Sequence, residues 1–423
     1  MAQYNFEGDL ENLNERQLQF IHKVILDHDS KFKKAYFSKL GQAGDNFVGN
    51  VKRISVEGEK RTIKMVLKYA VSDAMLRDIT NTEVMFKNEH IMYTEVLPKF
   101  VELQRTVGVP EQDQYRYAKC YGSLNEAPSE VIILEDLNES GFSMLNKFNS
   151  LSNECVISIL QNFAAMHSLS YVLKNKEAEK FNHFKEQLTD PWKSAYDKPE
   201  LKNRFQIVED EIVSVLEDSH HKKLVKNKII EIFELRAKLI EFEKSNKYSV
   251  IQQGDAWTNN IMFKLDQDPV QSILIDFQAS FNNSPVIDLL FMIFNCTDHE
   301  TRVKHYYDWI DYYHSELDKS LSNFGLKVSL IYPRDQMDAD IRTYAKLIFG
   351  QSLVLANMLM RDPKEAAELV EVMRDMDKNA IPDTMKTGNL QVQSQNRIKK
   401  RIFGVIDSFE EFGLLEAVSQ WDD

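Results

Sequence analysis

The chain has 423 residues, 43% of them hydrophobic, a formal net charge of −13 and three cysteines, Cys120, Cys155 and Cys296. This supports a sizeable core in two lobes or two domains, argues against a broad nucleic-acid footprint, and gives neither a disulfide framework nor a zinc knuckle. The opening MAQYNFEGDLENLNE lacks the basic start and apolar stretch of a secretory signal, and no run approaches about 18 apolar residues, so a cytoplasmic protein without a membrane span is expected.

Leu18, Ile21, Val24 and Ile25, followed by Phe32, Tyr36 and Phe37, predict a helix over 12–40. A glycine-rich turn, GQAGDNFVGN, occupies 41–50. Two strands follow over 51–57 and 62–70, joined through Glu57-Gly58-Glu59-Lys60. A helix over 83–97 should stop before Pro98, and short strands are expected at Cys120 to Ser123 and Val131 to Leu134. A boundary falls near 137–142. Beyond it, helices are expected over 152–170, 204–220, 222–243, 286–295, 301–322, 334–360, 364–377 and 391–418. One strand-like hairpin interrupts them, Ile261 to Leu265 and Ser272 to Ile275, turning at Asp266-Gln267-Asp268-Pro269. The fold class is α+β, with a small sheet-centred first lobe (1–137, with a helical leader) and a large, mainly helical second lobe (138–423).

The hairpin is entered through QGDAWTNN, 253–260, and left through ILIDFQ. It can therefore bring Asp255, Asn260 and Asp276 together. Two carboxylates and an amide oxygen are hard ligands suited to Mg²⁺, or one carboxylate can orient an attacking hydroxyl; the plain reading is three turn caps. In the glycine turn, Gly44 and Gly49 flank Asp45, Asn46, Phe47 and Val48. Such a turn lets backbone N–H groups approach an anion, yet many hairpins carry two glycines. Lys68 ends Met65-Val66-Leu67-Lys68. It is either a solvated charge or an inward amine needing an acidic partner, with Glu89 and then Glu95 as candidates.

Glycine loop, strand lysine, helix glutamate, an Asp five before an Asn, then Asp-Phe: together these resemble the protein-kinase-like superfamily. QGDAWTNNIMF, LIDFQ, NEHIMYTEVLP and VIILEDL resemble the insect ecdysteroid-kinase-like group, related to choline and aminoglycoside kinases, over roughly residues 35–350. The resemblance implies a bilobal kinase-like fold and an ATP-dependent phosphotransferase with an alcohol acceptor. It makes Asp255 the catalytic aspartate and Asn260 and Asp276 the Mg²⁺ ligands. Lys68, held by Glu89, would meet the phosphates, and the backbone from Gly44 to Gly49 would cover them. Leu134, Glu135, Asp136 and Leu137 would form the lobe connection beside adenine, with apolar contact from Ile133 and Leu134. The departure is Gln253, where the family motif has histidine. Glutamine donates and accepts hydrogen bonds but cannot become an imidazolium.

Other residues have bland readings. His167 reads as a packing or loop-support residue, Asp288 as a helix cap or a partner of the catalytic region, and His220-His221 as exposed. Tyr306, Trp309 and Tyr313 form a core stripe or part of an acceptor pocket. Lys399, Lys400 and Arg401 read as a solvated face. The first acceptor class is an ecdysteroid hydroxyl. The alternatives are a lipophilic, glycosylated or choline-like small molecule, a metal-dependent hydrolase using the same carboxylates, and an ATP-binding scaffold whose one support is Gln253. Nothing in the sequence sets an oligomeric state.

Overall fold

Alternation with a period of two builds the first lobe. The structure, a computed structural model, describes residues 4–41, 49–59, 61–193, 199–374 and 386–416. Chain order runs β1 (Phe6–Gly8), α1 (Glu15–His28), β2 (Lys34–Lys39), β3 (Gly49–Glu57), β4 (Thr62–Ala70), α2 (Ala74–Ile79), α3 (Thr82–Ile91), α4 (Leu97–Thr106), β5 (Cys120–Leu124) and β6 (Val131–Glu135). The strands form one sheet in the order β1-β2-β3-β4-β6-β5, parallel only between β1 and β2. Met65, Leu67 and Tyr69 of β4 join Ile133 of β6 and Ile21, Val24 and Ile25 of α1 in one core. Successive strand residues face opposite ways, so Val66 and Lys68 lie on the other face. Their register partners there are Leu134 and Ile132.

Several expected boundaries moved; the helices expected over 204–220 and 222–243, for instance, are Pro199–Val215, Ser219–Val225 and Ile232–Glu243. The helix expected over 12–40 ends at His28, and Lys34–Lys39 is a strand instead. There Ala35 and Phe37 are buried while Lys34 and Tyr36 are exposed, and β1 and β3 take its two edges. The expected stop at Pro98 is also absent. A π-helical turn, Met92–Val96, carries α3 into α4. Pro98 then falls in the first turn of α4, a position that tolerates a missing N–H.

The second lobe comprises β7 (Ser143–Met144), α5 (Asn153–Lys176), α6 (Ala178–Gln187), α7 (Pro199–Val215), α8 (Ser219–Val225), α9 (Ile232–Glu243), β8 (Val250–Ile251), β9 (Ile261–Lys264), β10 (Gln271–Leu274), β11 (Asn282–Asn283), α10 (Pro285–Cys296), α11 (His299–Ser322), α12 (Val328–Ile331), α13 (Arg334–Leu359), α14 (Pro363–Arg374) and α15 (Val392–Glu411). β9 and β10 pair as the expected hairpin, β7 adds to its edge, and β8 pairs with β11. α5 is long and apolar enough to cross a membrane, yet 78% of its apolar window is buried inside the fold. It is the central core helix. The large core continues into the first lobe through Phe86, Tyr93 and Phe100, so α3 and α4 are packed on the second lobe as well as on the sheet.

The aromatic stripe of α11 is core. Tyr306, Trp309 and Tyr313 are all buried, Trp309 Nε1 donates to Asn153 Oδ1 at 2.8 Å, and Tyr306 stacks on Phe412 with ring centres 4.1 Å apart. Lys400 is exposed as expected, but Arg401 turns inward and donates to Thr297 O at 2.8 Å. Arg302 reaches the same carbonyl. Two cations thus serve the carbonyl end of α10, where they complement the helix dipole.

Candidate active site

The strand period decides where Lys68 goes. On the face away from α1 its Nζ lies 2.6 Å from Glu89 Oε2 and 2.6 Å from Asp276 Oδ1. Glu89 is carried there by α3, and Gln278 Oε1 is 3.5 Å from the same amine. Burial pulls the Lys68 ammonium down, but Asp276 and Glu89 more than offset it, so its pKa is raised. Burial raises the Glu89 carboxyl against the pull of Lys68. Glu95, the second candidate partner, pairs instead with Lys180 at 3.6 Å.

Asp276 follows β10 in a left-handed conformation, φ 59° and ψ 69°. Such backbone is costly for a non-glycine residue and needs outside support. Gln253 supplies it. Its Nε2 donates to Ile275 O and Asp276 O, both at 3.0 Å, while its Oε1 accepts the Asp255 N–H at 2.6 Å. One buried amide therefore ties the loop of Asp255 to the loop of Asp276. Gly254 beside it is equally constrained. At φ +89° a Cβ there would lie 2.2 Å from Ala279 O.

Asn260 Nδ2 donates to Asp255 O at 2.9 Å and to Asp255 Oδ2 at 3.0 Å. That use of the nitrogen leaves its amide oxygen for another ligand. The Asp255 carboxyl is held well above the usual range, first by burial and then by Asp276; Asn260 and Lys68 oppose this. Behind it, in the first turn of α10, Asp288 accepts N–H groups of Gln253 and Gly254, both at 2.8 Å. His167 Nε2 is 3.2 Å from Asp288 Oδ2, and its Nδ1 is 2.9 Å from the Tyr313 hydroxyl. A carboxylate only accepts, so Nε2 donates, and in the neutral ring Nδ1 accepts from Tyr313. His167 and Asp288 therefore support the loop, as their sequence context predicts.

The structure brings Lys68, Glu89, Asp255, Asn260 and Asp276 together. Gly44, Asp45, Asn46, Phe47 and Val48 lie outside the described residues, and Gly49 opens β3. Leu134 shares the Lys68 face, whereas Ile133 faces α1. Glu135 accepts the Lys119 N–H and the Ser140 hydroxyl. Asp136 accepts from Arg53 at 2.5 Å and from Asn138, and Leu137 is buried. These side chains serve the crossing between lobes. His220 is exposed and pairs with Glu410 at 2.7 Å. Gln278 and Asn88 carry no assigned role in the sequence although both stand in the quoted stretches LIDFQ and NEHIMYTEVLP; their place beside Asp276 and Glu89 in those stretches is the one signal.

A family model described as the ecdysteroid kinase-like family matches residues 43–326. No curated protein matches the chain. Among solved structures the chain is similar to an ethanolamine kinase of Plasmodium vivax, at 12% identity and TM-score 0.45 over 93% of this chain and 89% of that one. It is also similar to a spectinomycin phosphotransferase, at 12% identity and TM-score 0.39 over 92% and 98%, and to a microcompartment-associated aminopropanol kinase, at 10% identity and TM-score 0.40 over 94% and 99%. The bilobal fold and a family match over most of its length make this chain a member of the ecdysteroid kinase-like family, and an ATP-dependent phosphotransferase acting on a small molecule.

Proposed function

We propose that this kinase transfers the γ-phosphoryl group of ATP to a hydroxyl of a lipophilic alcohol, with an ecdysteroid as the first acceptor. The observation that carries the phosphotransfer part is the convergence of Asp276 and Glu89 on one amine, Lys68, with the loop of Asp255 tied to that of Asp276 through Gln253. The family match supports the acceptor class. In this reading residues 1–137 hold the nucleotide, and residues 138–423 hold the catalytic hairpin and the acceptor. The backbone of Leu134 to Leu137 borders adenine, and the backbone from Gly44 to Gly49 covers the phosphates.

The residues present fit a Mg²⁺ ion. Asn260 offers its oxygen and Asp276 offers the carboxylate oxygen that Lys68 does not hold, two hard donors of the kind this ion takes. An ion there supplies charge neutralisation for the transferring phosphoryl group. Lys68, fixed by Glu89, would meet the phosphates. Asp255 accepts a hydrogen bond from the acceptor hydroxyl and takes its proton. The acceptor oxygen then bonds to the γ-phosphorus, the bond from that phosphorus to the β–γ bridging oxygen breaks, and ADP leaves.

The test is mass spectrometry of an ecdysteroid panel and a metabolite extract incubated with Mg²⁺ and ATP. A gain of one phosphoryl group on an ecdysteroid, lost in Asp255→Asn, is expected. Phosphorylation of other alcohols only would reassign the acceptor. Nucleotide binding with no ATP consumed by any alcohol would make the chain a binding protein. A cytoplasmic location belongs to the same proposal, and fractionation of the native protein tests it.

A further inference from the structure

The residue before Glu89 is as buried as Glu89 itself. Asn88 has no exposed surface, and its amide touches neither Lys68 nor Glu89. Nδ2 donates to Thr189 O at 2.7 Å and to Gln278 O at 3.2 Å, while Oδ1 accepts the Thr189 N–H at 3.0 Å. Seven residues earlier, Asn81 caps the start of α3 in a left-handed conformation, φ 50°. Its Nδ2 donates to Pro191 O at 2.7 Å. The link 188–193, which leaves α6 in the second lobe, is thus hydrogen-bonded along α3 at two levels.

The far side of that link is anchored too. Asp190 accepts from Arg236 Nε at 3.2 Å and Nη2 at 3.0 Å, and both side chains are largely buried. The Arg236 guanidinium sits 5.7 Å from the centre of the Phe281 ring, in the segment that follows Asp276. Gln278, whose carbonyl Asn88 holds, places its own side chain near Lys68. The contacts close a circuit: α3, the link, α9, the segment after Asp276, and back to α3 through Asn88.

An apolar side chain of similar volume would fill the space of Asn88 without fixing any register. The amide fixes one, because three of its hydrogen-bonding positions are used at once and all on backbone. We propose that Asn88 is a positioning residue for phosphotransfer, holding α3 against the link and the segment after Asp276 so that the Lys68–Glu89 pair and Asp276 move as one unit. This rests on the assignment of Lys68, Glu89 and Asp276 to the nucleotide phosphates and metal.

Calorimetry of the full chain with Mg²⁺ and a non-hydrolysable ATP analogue, beside adenosine alone, tests this. Asn88→Asp keeps the acceptor for Thr189 N–H but sets a carboxylate against two carbonyls. It should weaken the Mg-triphosphate analogue about tenfold or more, as expected for an ångström-scale misplacement, and leave adenosine within about twofold. Equal losses for both ligands would reduce Asn88 to a general packing role, and no loss for either would also overturn the proposal. If Asn88→Asp does not fold, the milder Asn81→Gly, which keeps the left-handed backbone and removes the amide that holds Pro191 O, should show the same selective loss, about two- to threefold; its absence would count equally against the proposal. Lys68→Met separates the two failures. If that variant binds the analogue normally, the phosphate assignment is wrong; if it does not and the Asn88 variant does, only the positioning role falls.

Discussion

At the scale of single residues, one amide stands where a histidine is usual and carries three backbone contacts. None of them needs a proton that titrates, so Gln253 leaves the site intact. Gln253→Leu would strand the Asp255 N–H and two carbonyls, at about 1–3 kcal/mol for each group left unpaired. A lower melting temperature and a sharp fall in turnover should follow, read by thermal denaturation and ADP release. Gln253→His should keep turnover within about tenfold, because an imidazole can serve part of the same set. Asp255→Asn should lower turnover by about 10²–10⁴ and, in metal-free protein, raise the melting temperature, since it removes a buried carboxyl crowded by Asp276. A melting temperature that falls would remove the electrostatic account of that carboxyl.

At the scale of elements, α10 shows how far pattern reading reaches. Its apolar run and the acid at its start were legible, and so was the hairpin before it. The two arginines on its carbonyl end were not: Arg401 comes from α15, more than a hundred positions along the chain, and Arg302 folds back from α11. Arg401→Ala should therefore lower the melting temperature by a few degrees, on the order of 1–2 kcal/mol for lost charge-assisted hydrogen bonds to the helix end. Lys400→Ala, on the exposed side of the same helix, should change it hardly at all. β2 was misread for a related reason: Phe32, Tyr36 and Phe37 fit a helical face until two neighbouring strands claim the backbone. The wall of Lys68 was legible because alternation in β4 is local. The circuit through Asn88 was not, because its partners are backbone groups that no spacing rule reveals.

At the scale of the molecule, α3 and α4 join the core of the second lobe, while the sheet and α1 keep a separate core between them. The larger interior also holds carboxyls at a cost. Glu243 and Asp340 are both raised, burial being the main cause in each, and Glu243 Oε2 has no hydrogen-bond partner. A carboxyl whose pKa is higher in the fold than in the open chain binds more protons when folded, between the two values. Its contribution is most favourable at and below the ordinary carboxyl range and is lost as pH rises through the raised value. Glu243→Gln keeps an acceptor for the Tyr344 hydroxyl, which bonds that carboxylate. Its stability advantage over wild type should therefore grow from pH 4.5, the ordinary glutamate value, toward neutrality. Denaturant midpoints across that range check it, and a constant difference would contradict the linkage. β1 carries a last consequence. It covers the outer edge of β2 in parallel register, and Asp9 just beyond it neutralises the buried Lys52 at 2.7 Å. Trimming the first nine residues would bare a row of backbone amides and carbonyls and orphan a buried cation together, turning a capped sheet into a template for intermolecular pairing and precipitation.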